Sequence, residues 1–246
     1  VKPGSFSTAF MDALYTLDDA VLISENCIRP VVVPDQLQVY FISGTQDVEL
    51  NENRLLSIVE EACRGGVTCF QFREKGVGTL VGKQKLELAQ QLKQICAKYN
   101  VLYIINDDVD LAIAVNADGV HVGQEDMRLE EVRNLVGHKV VGISIHSVTE
   151  LHNTDIVYAD CVGVGPMYTT SSKPDAQEPC GPNRITELQA EGLTLPCVGI
   201  GGISLDNAEP VLQAGACGVA VISAIAHADN PYEAAQEFKK LADRTQ

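Results

Sequence analysis

Eight short apolar runs, spaced by segments of helical periodicity, constrain the fold of this chain more than any other feature. They are Val39–Ile42, Cys69–Arg73, Leu102–Asn106, Gly119–Val122, Val140–Ser144, Cys161–Gly165, Cys197–Ile200 and Gly218–Ile222. Between them, Leu55, Ile58, Val59 and Ala62 form one apolar helical face, and Leu86, Leu88, Ala89, Leu92, Ile95 and Cys96 form another. Leu111, Ala112 and Val115 mark a third helix, and Leu129, Val132, Leu135 and Val136 a fourth. Leu151 with Ile156 and Val157 predicts a fifth, Ile185 and Leu188 a sixth, and Ala208, Val211 and Leu212 a seventh. Ala234, Ala235, Phe238 and Leu241 mark the last. Strands alternating with helices predict parallel βα units. Eight such units in about 210 residues predict an α/β protein, a single-domain (β/α)8 TIM barrel over residues 37–246. Gly65-Gly66 falls where the first helix should stop.

Residues 1–36 do not share this rhythm and read as an N-terminal extension. Phe6, Phe10, Leu14 and Leu17 lie at helical spacing, so a helix is expected over Ser5–Leu17. Pro30 and Pro34 bracket Val31-Val32-Val33, which predicts an extended connector. The extension either packs on the barrel or stays mobile.

The chain carries 18 basic and 33 acidic residues, a net charge of −15. That balance argues against a general nucleic-acid or anionic-membrane binder, which needs a basic face. It leaves anionic small molecules open, because salt screens exposed charges beyond about 8–10 Å and a few local cations can dominate a site. No apolar stretch approaches the roughly 20 residues needed to span a bilayer, and Val1-Lys2-Pro3-Gly4-Ser5 lacks the pattern of a signal peptide. The eight cysteines include no Cys-x-x-Cys pair, and several sit in apolar runs. They read as small buried hydrophobes of a reduced, cytoplasmic protein rather than as disulfides or zinc ligands.

The polar residues at the ends of the strands carry the functional information. Gly201-Gly202 follows the seventh strand, and Ile222-Ser223 ends the eighth. Backbone N–H groups in such turns bind phosphate, and these two loops are the usual phosphate site of a barrel; the bland alternative is that the glycines only permit tight turns. Asp107 and Asp126 come from adjacent strand ends, so their carboxylates can converge on a divalent metal such as Mg²⁺; the nearby Asp108, Asp110 and Glu125 are available as solvated loop or helix-cap residues. Arg73 and Lys75 follow the second strand, and Lys173 lies in the long irregular stretch from Pro166 to Pro182. Three cations on one barrel face would bind a diphosphate and stabilise it as a leaving group; otherwise they serve solubility. His121 and His146 read as hydrogen-bonding or packing residues. No Ser-His-Asp order or Gly-x-Ser-x-Gly elbow is present.

Together these segments resemble the thiamine-phosphate synthase family over about residues 38–245. The resemblance rests on Gln71-Phe72-Arg73-Glu74-Lys75, on Asn106-Asp107-Asp108-Val109-Asp110-Leu111-Ala112, and on the run from Ala117 to Asp126. Gly142-Ile143-Ser144, Gly163-Val164-Gly165-Pro166 and Gly199-Ile200-Gly201-Gly202-Ile203 continue it. It implies condensation of a hydroxymethylpyrimidine diphosphate with a hydroxyethylthiazole phosphate, or its carboxylated form, by a dissociative, Mg²⁺-assisted substitution. It further implies that Gln71, Phe72, Arg73, Glu74, Lys75, Asn106, Ser144 and Lys173 hold the pyrimidine diphosphate. Arg73, Lys75, Ser144 and Lys173 would be the catalytic members of that set. By the same resemblance Asp107 and Asp126 hold Mg²⁺, and Thr170, Ser171, Ser172, Gly202, Ile222 and Ser223 hold the thiazole phosphate. The partners implied are small phosphorylated substrates, with no nucleic acid and no membrane, and a homo-oligomer stays open.

The chain departs from the family's usual Thr-x-Thr-Lys at Thr170-Ser171-Ser172-Lys173, and Phe72 replaces a common Leu. Separately, Pro3-Gly4-Ser5-Phe6 and Phe10-Met11-Asp12-Ala13-Leu14-Tyr15 are similar to the C-terminal end of hydroxyethylthiazole kinase. That segment is too short for a kinase, so removal of residues 1–34 is expected to spare turnover. The rival readings are the thiazole tautomerase relative on the same barrel, a phosphate-ligand sensor and another phosphosugar barrel enzyme. The joint presence of Gln71, Arg73, Lys75, Asp107, Asp126 and Lys173 disfavours the tautomerase.

Overall fold

A computed structural model describes residues 32–170 and 178–245. The expected helix over Ser5–Leu17 and the first half of the connector lie outside the described residues, as do Ser171, Ser172 and Lys173. The eight strands are β1 (Val39–Ser43), β2 (Cys69–Phe72), β3 (Leu102–Asn106), β4 (Gly119–Val122), β5 (Val140–Ile145), β6 (Cys161–Val164), β7 (Cys197–Ile200) and β8 (Gly218–Val221). All neighbours pair in parallel, and β1 pairs with β8 to close the barrel. The helices are α1 (Glu52–Gly65), α2 (Gly82–Lys98), α3 (Val109–Ala114), α4 (Leu129–Val136), α5 (Val148–Asn153), α6 (Asn183–Ala190), α7 (Ala208–Gln213), α8 (Ser223–Ala226) and α9 (Pro231–Thr245).

Strand alternation sorts the core into two layers. Outward residues such as Phe41, Phe70, Phe72, Tyr103 and Ile105 meet the helices. Phe41 pairs with Phe70, which pairs with Tyr103, with ring centroids 5.5 and 6.2 Å apart. Inward residues such as Tyr40, Ile42, Cys69, Ile104, Val140, Cys161, Val198 and Ala220 fill the barrel itself. The seven described cysteines are unpaired thiols. Burial pushes Cys69 and Cys161 up, the opposite of what a reactive thiolate needs.

Short polar side chains start several helices by accepting an orphan N–H: Asn51 from Arg54 (3.0 Å), Asp108 from Leu111 (3.0 Å) and Ser147 from Glu150 (3.1 Å). Gly66, with φ +114°, closes α1 where the Gly-Gly pair predicts a stop. The fifth helical pattern divides instead into α5 and a 3-10 turn at Ile156–Tyr158, because Thr154 between them is extended. Val33 is extended, with φ −82° and ψ 141°, and Pro34–Leu37 after it forms a 3-10 turn. Val32 and Leu37 pack with the inward core, so the end of the N-terminal extension plugs the barrel. Among the described residues no helix is long and apolar enough to cross a membrane.

Candidate active site

A cavity of about 450 Å³ opens at the carboxyl ends of the strands. The inward strand positions feed it: Ile42, Gln71, Asn106, His121, Ser144, Gly163, Val198, Ile200 and Ala220 all line its wall. Beyond β2 the alternation persists, and Gln71, Arg73 and Lys75 face the cavity. Phe72 and Glu74 do not. The Phe72 ring lies in the outer layer, 1% exposed, and the Glu74 carboxylate bonds Thr45 and Leu80. The resemblance implies ligand contact for the whole Gln71–Lys75 run; the side chains of Phe72 and Glu74 are the two of that run that do not line the cavity.

Arg73 is 8% exposed and held by its backbone, whose N–H donates to the Ser43 carbonyl at 3.0 Å. Its carbonyl accepts from Gln46 Nε2 at 2.7 Å. Burial raises the carboxyl of neighbouring Asp47, an effect opposed by the Gly44 N–H and the Arg73 guanidinium. Gln71 donates from Nε2 to the Tyr40 hydroxyl at 2.8 Å. That bond sets which end of the amide points along the barrel.

The acids meet the cations at β3 and β4. Lys75 Nζ lies 2.9 Å from Asp107 Oδ2, and this hydrogen bond raises the lysine's pKa. Asp107 has φ +58°, a left-handed conformation uncommon for a side-chain-bearing residue. Its N–H donates to the His121 carbonyl at 2.8 Å. Asp126 accepts from the Gly123 N–H at 2.7 Å. Its carboxyl is raised, first by burial and then by the adjacent Asp107 carboxylate. Two facing carboxylates repel and favour a cation between them. No group of three or more His, Cys, Asp or Glu converges among the described residues. Asp107 and Asp126 could together hold a cation such as Mg²⁺, which takes one or two carboxylates and completes its shell from phosphate oxygens and water.

Ser144 Oγ shares a 3.0 Å hydrogen bond with His121 Nε2, and its carbonyl accepts from Gln124 Nε2 at 2.8 Å. The His121 ring lies over Gly142, where a Cβ would come within 2.3 Å of Nδ1. Here a glycine is required so that the imidazole can cross the barrel. On the opposite side Thr170, Gly202, Ile222 and Ser223 line the cavity together. Tyr40, Gln124, His146 and Glu150 also line it. Of these, Tyr40 is legible from the inward alternation of β1 and Gln124 from its place at the end of β4, while Glu150 carries no local signal, since the direction of its loop decides its placement. Asp108 caps α3 through the Leu111 N–H and pairs with Lys85 at 2.7 Å.

These features define a class: a (β/α)8 barrel with cations, amides and paired acids gathered around one cavity at the carboxyl ends of its strands. The thiamine monophosphate synthase family model matches residues 39–225. Thiamine-phosphate synthase of Geobacillus thermodenitrificans is 50% identical over 201 residues, covering 82% of this chain and 90% of that one. That of Bacillus velezensis is 44% identical over 214 residues, covering 87% and 94%. The solved thiamine phosphate pyrophosphorylase from Pyrococcus furiosus superposes with a TM-score of 0.75 at 30% identity, over 86% of this chain and 98% of that one. The chain belongs to the thiamine-phosphate synthase family. It is accordingly an enzyme, a transferase of a pyrimidinylmethyl group in thiamine biosynthesis.

Proposed function

We propose that the cavity joins 4-amino-2-methyl-5-hydroxymethylpyrimidine diphosphate to 4-methyl-5-(2-hydroxyethyl)thiazole phosphate, giving thiamine phosphate and diphosphate, or to its carboxylated form, giving the same two products and CO2. The methylene C–O bond breaks, and its electron pair leaves with the diphosphate. The thiazole nitrogen then donates its lone pair to the pyrimidinylmethyl cation, forming the C–N bond. No protein nucleophile is needed; the work is positioning and stabilisation of the leaving group.

The observation that carries this reading is the Lys75–Asp107–Asp126 cluster in one cavity with Arg73, Asn106 and Ser144. Arg73 and Lys75 would hold the diphosphate, and Lys173 would join them. Gln71, Asn106 and Ser144 would orient the pyrimidine end, with Ser144 steadied by His121 and Gln124. Asp107 and Asp126 would hold Mg²⁺, which supplies positive charge to the departing diphosphate. Thr170, Ser171, Ser172, Gly202, Ile222 and Ser223 would hold the thiazole phosphate. We read residues 3–15, by their resemblance to the C-terminal end of hydroxyethylthiazole kinase, as derived from a fused or adjacent kinase.

The test is thiamine phosphate formation from the two substrates with Mg²⁺ and with chelator, beside Asp107→Ala. Product that requires Mg²⁺ and falls about a hundred-fold or more in the variant is expected. Equal turnover in chelator, or in Asp107→Ala, would overturn the metal assignment, and absence of product would overturn the reaction.

A further inference from the structure

Glu74 lies between two residues assigned to the diphosphate, yet the strand pleat turns it to the other side of the β2–α2 loop. There its carboxylate is fully engaged. Oε2 accepts from the Thr45 N–H at 2.8 Å, and Oε1 accepts from Thr45 Oγ1 at 2.5 Å and from the Leu80 N–H at 2.8 Å. Thr45 is 1% exposed and belongs to the β1–α1 loop, which is itself fixed to Arg73. A Cβ on Gly44 would fall 2.0 Å from the Arg73 carbonyl oxygen, so the two loops touch backbone to backbone.

The bond to Leu80 closes a ring around Lys75, Gly76, Val77, Gly78 and Thr79. That segment has little else to hold it. Gly76 and Gly78 have φ of +131° and +82°, conformations that cost glycine nothing and that it readily leaves. Val77 is wholly exposed. Inside the ring, Thr79 Oγ1 bonds the Gly76 carbonyl at 2.9 Å, and Lys75 reaches across to Asp107. A charged acceptor with three donors is the strongest bracing the loop has.

We infer that Glu74 is a positioning residue: it anchors the β2–α2 loop to Thr45 so that Lys75 stands ready for the diphosphate. The inference rests on the assignment of Lys75 to that group. Glu74→Gln keeps the shape but turns an amide N–H₂ toward at least one existing donor. Thr45→Val removes one of the same bonds with little change of volume.

Both variants are to be compared with Lys75→Ala and with Glu74→Gln/Lys75→Ala by steady-state kinetics in each substrate. Amide hydrogen exchange over residues 76–81 of the free protein is measured in parallel. Glu74→Gln is expected to raise KM for the pyrimidine diphosphate about ten-fold, as loss of one charge-assisted hydrogen bond would, with KM for the thiazole phosphate unchanged. Exchange over 76–81 should quicken, and Thr45→Val should do the same more weakly. In the Lys75→Ala background the substitution should add little, because its effect passes through Lys75. Additive losses, faster exchange with unchanged KM, or raised KM with unchanged exchange would each overturn the positioning role. If Lys75→Ala itself leaves the pyrimidine KM unaltered, the assignment of Lys75 fails, and this inference fails with it for a separately visible reason. Should Glu74→Gln not fold, Thr45→Val and its double variant with Lys75→Ala decide the same questions.

Discussion

Replacing Arg133 with methionine should unfold this protein far more readily while leaving its chemistry intact. Arg133 is on α4 with its side chain 7% exposed, beside the Asp160 side chain at 8%. Its Nη2 bonds Asp160 Oδ2 at 2.5 Å, and Nε and Nη2 both reach the Tyr158 carbonyl at 3.2 and 3.0 Å. Nη1 bonds the carbonyls of Gly137 and Lys139 at 2.8 and 2.7 Å. The guanidinium thus gathers the C-terminus of α4, the entry to β5 and the entry to β6, at the end of the barrel opposite the cavity. Methionine keeps the apolar stem but leaves the Asp160 carboxylate buried with the Val141 N–H, at 2.8 Å, as its remaining polar partner. Removing one member of a buried pair costs about 3–5 kcal/mol. At about 2–4 °C per kcal/mol for a domain of this size, the melting temperature should fall by roughly 6–20 °C. Adding Asp160→Leu should recover part of that loss, since neither charge then stays buried alone. Thermal unfolding followed by circular dichroism reads the magnitude; kcat and KM measured well below the transition read the chemistry. A loss under about 1 kcal/mol would refute the account of the buried pair. Reduced kcat in the folded variant would refute the separation of stability at this end from catalysis at the other.

Three further outcomes are expected. Gly202 has φ +64°, and a Cβ there would meet the Thr169 carbonyl oxygen at 2.5 Å and Tyr168 Cβ at 2.9 Å. Gly202→Ala should therefore displace the loop that carries Thr170, and raise KM for the thiazole phosphate about ten-fold with the pyrimidine KM unmoved; equal rises in both would contradict the two-ended reading of the cavity. At the N-terminus, removal of residues 1–31 should leave turnover unchanged. The boundary moves back from 34 because Val32 packs into the barrel. Leu37→Ala, which empties a position 1% exposed, should cost about 2–5 kcal/mol in denaturant unfolding; a cost near zero would show that the plug is dispensable.

What the chain determines locally is legible without coordinates. The number and order of the strands follow from apolar runs and intervening helical faces, and each boundary differs from the observed one by a residue at most, as at Ser43, Phe72 and Ile145. The polar residues at the strand ends are legible for the same reason, because a parallel barrel places every such end on one face. Tertiary structure decided the rest. The pleat, once anchored by pairing, sends Arg73 and Lys75 into the cavity and Phe72 and Glu74 away from it. Arg133 looks like a surface charge beside Leu135, yet it is buried while Leu135 is 53% exposed. Its partner Asp160 stands 27 residues further along the chain. Glu74 and Thr45 are 29 apart, and the left-handed turn of Asp107 has no mark in its sequence. Periodic burial repeats within one element and can be read from it. A hydrogen bond between distant elements depends on how those elements dock, which no window of the chain contains.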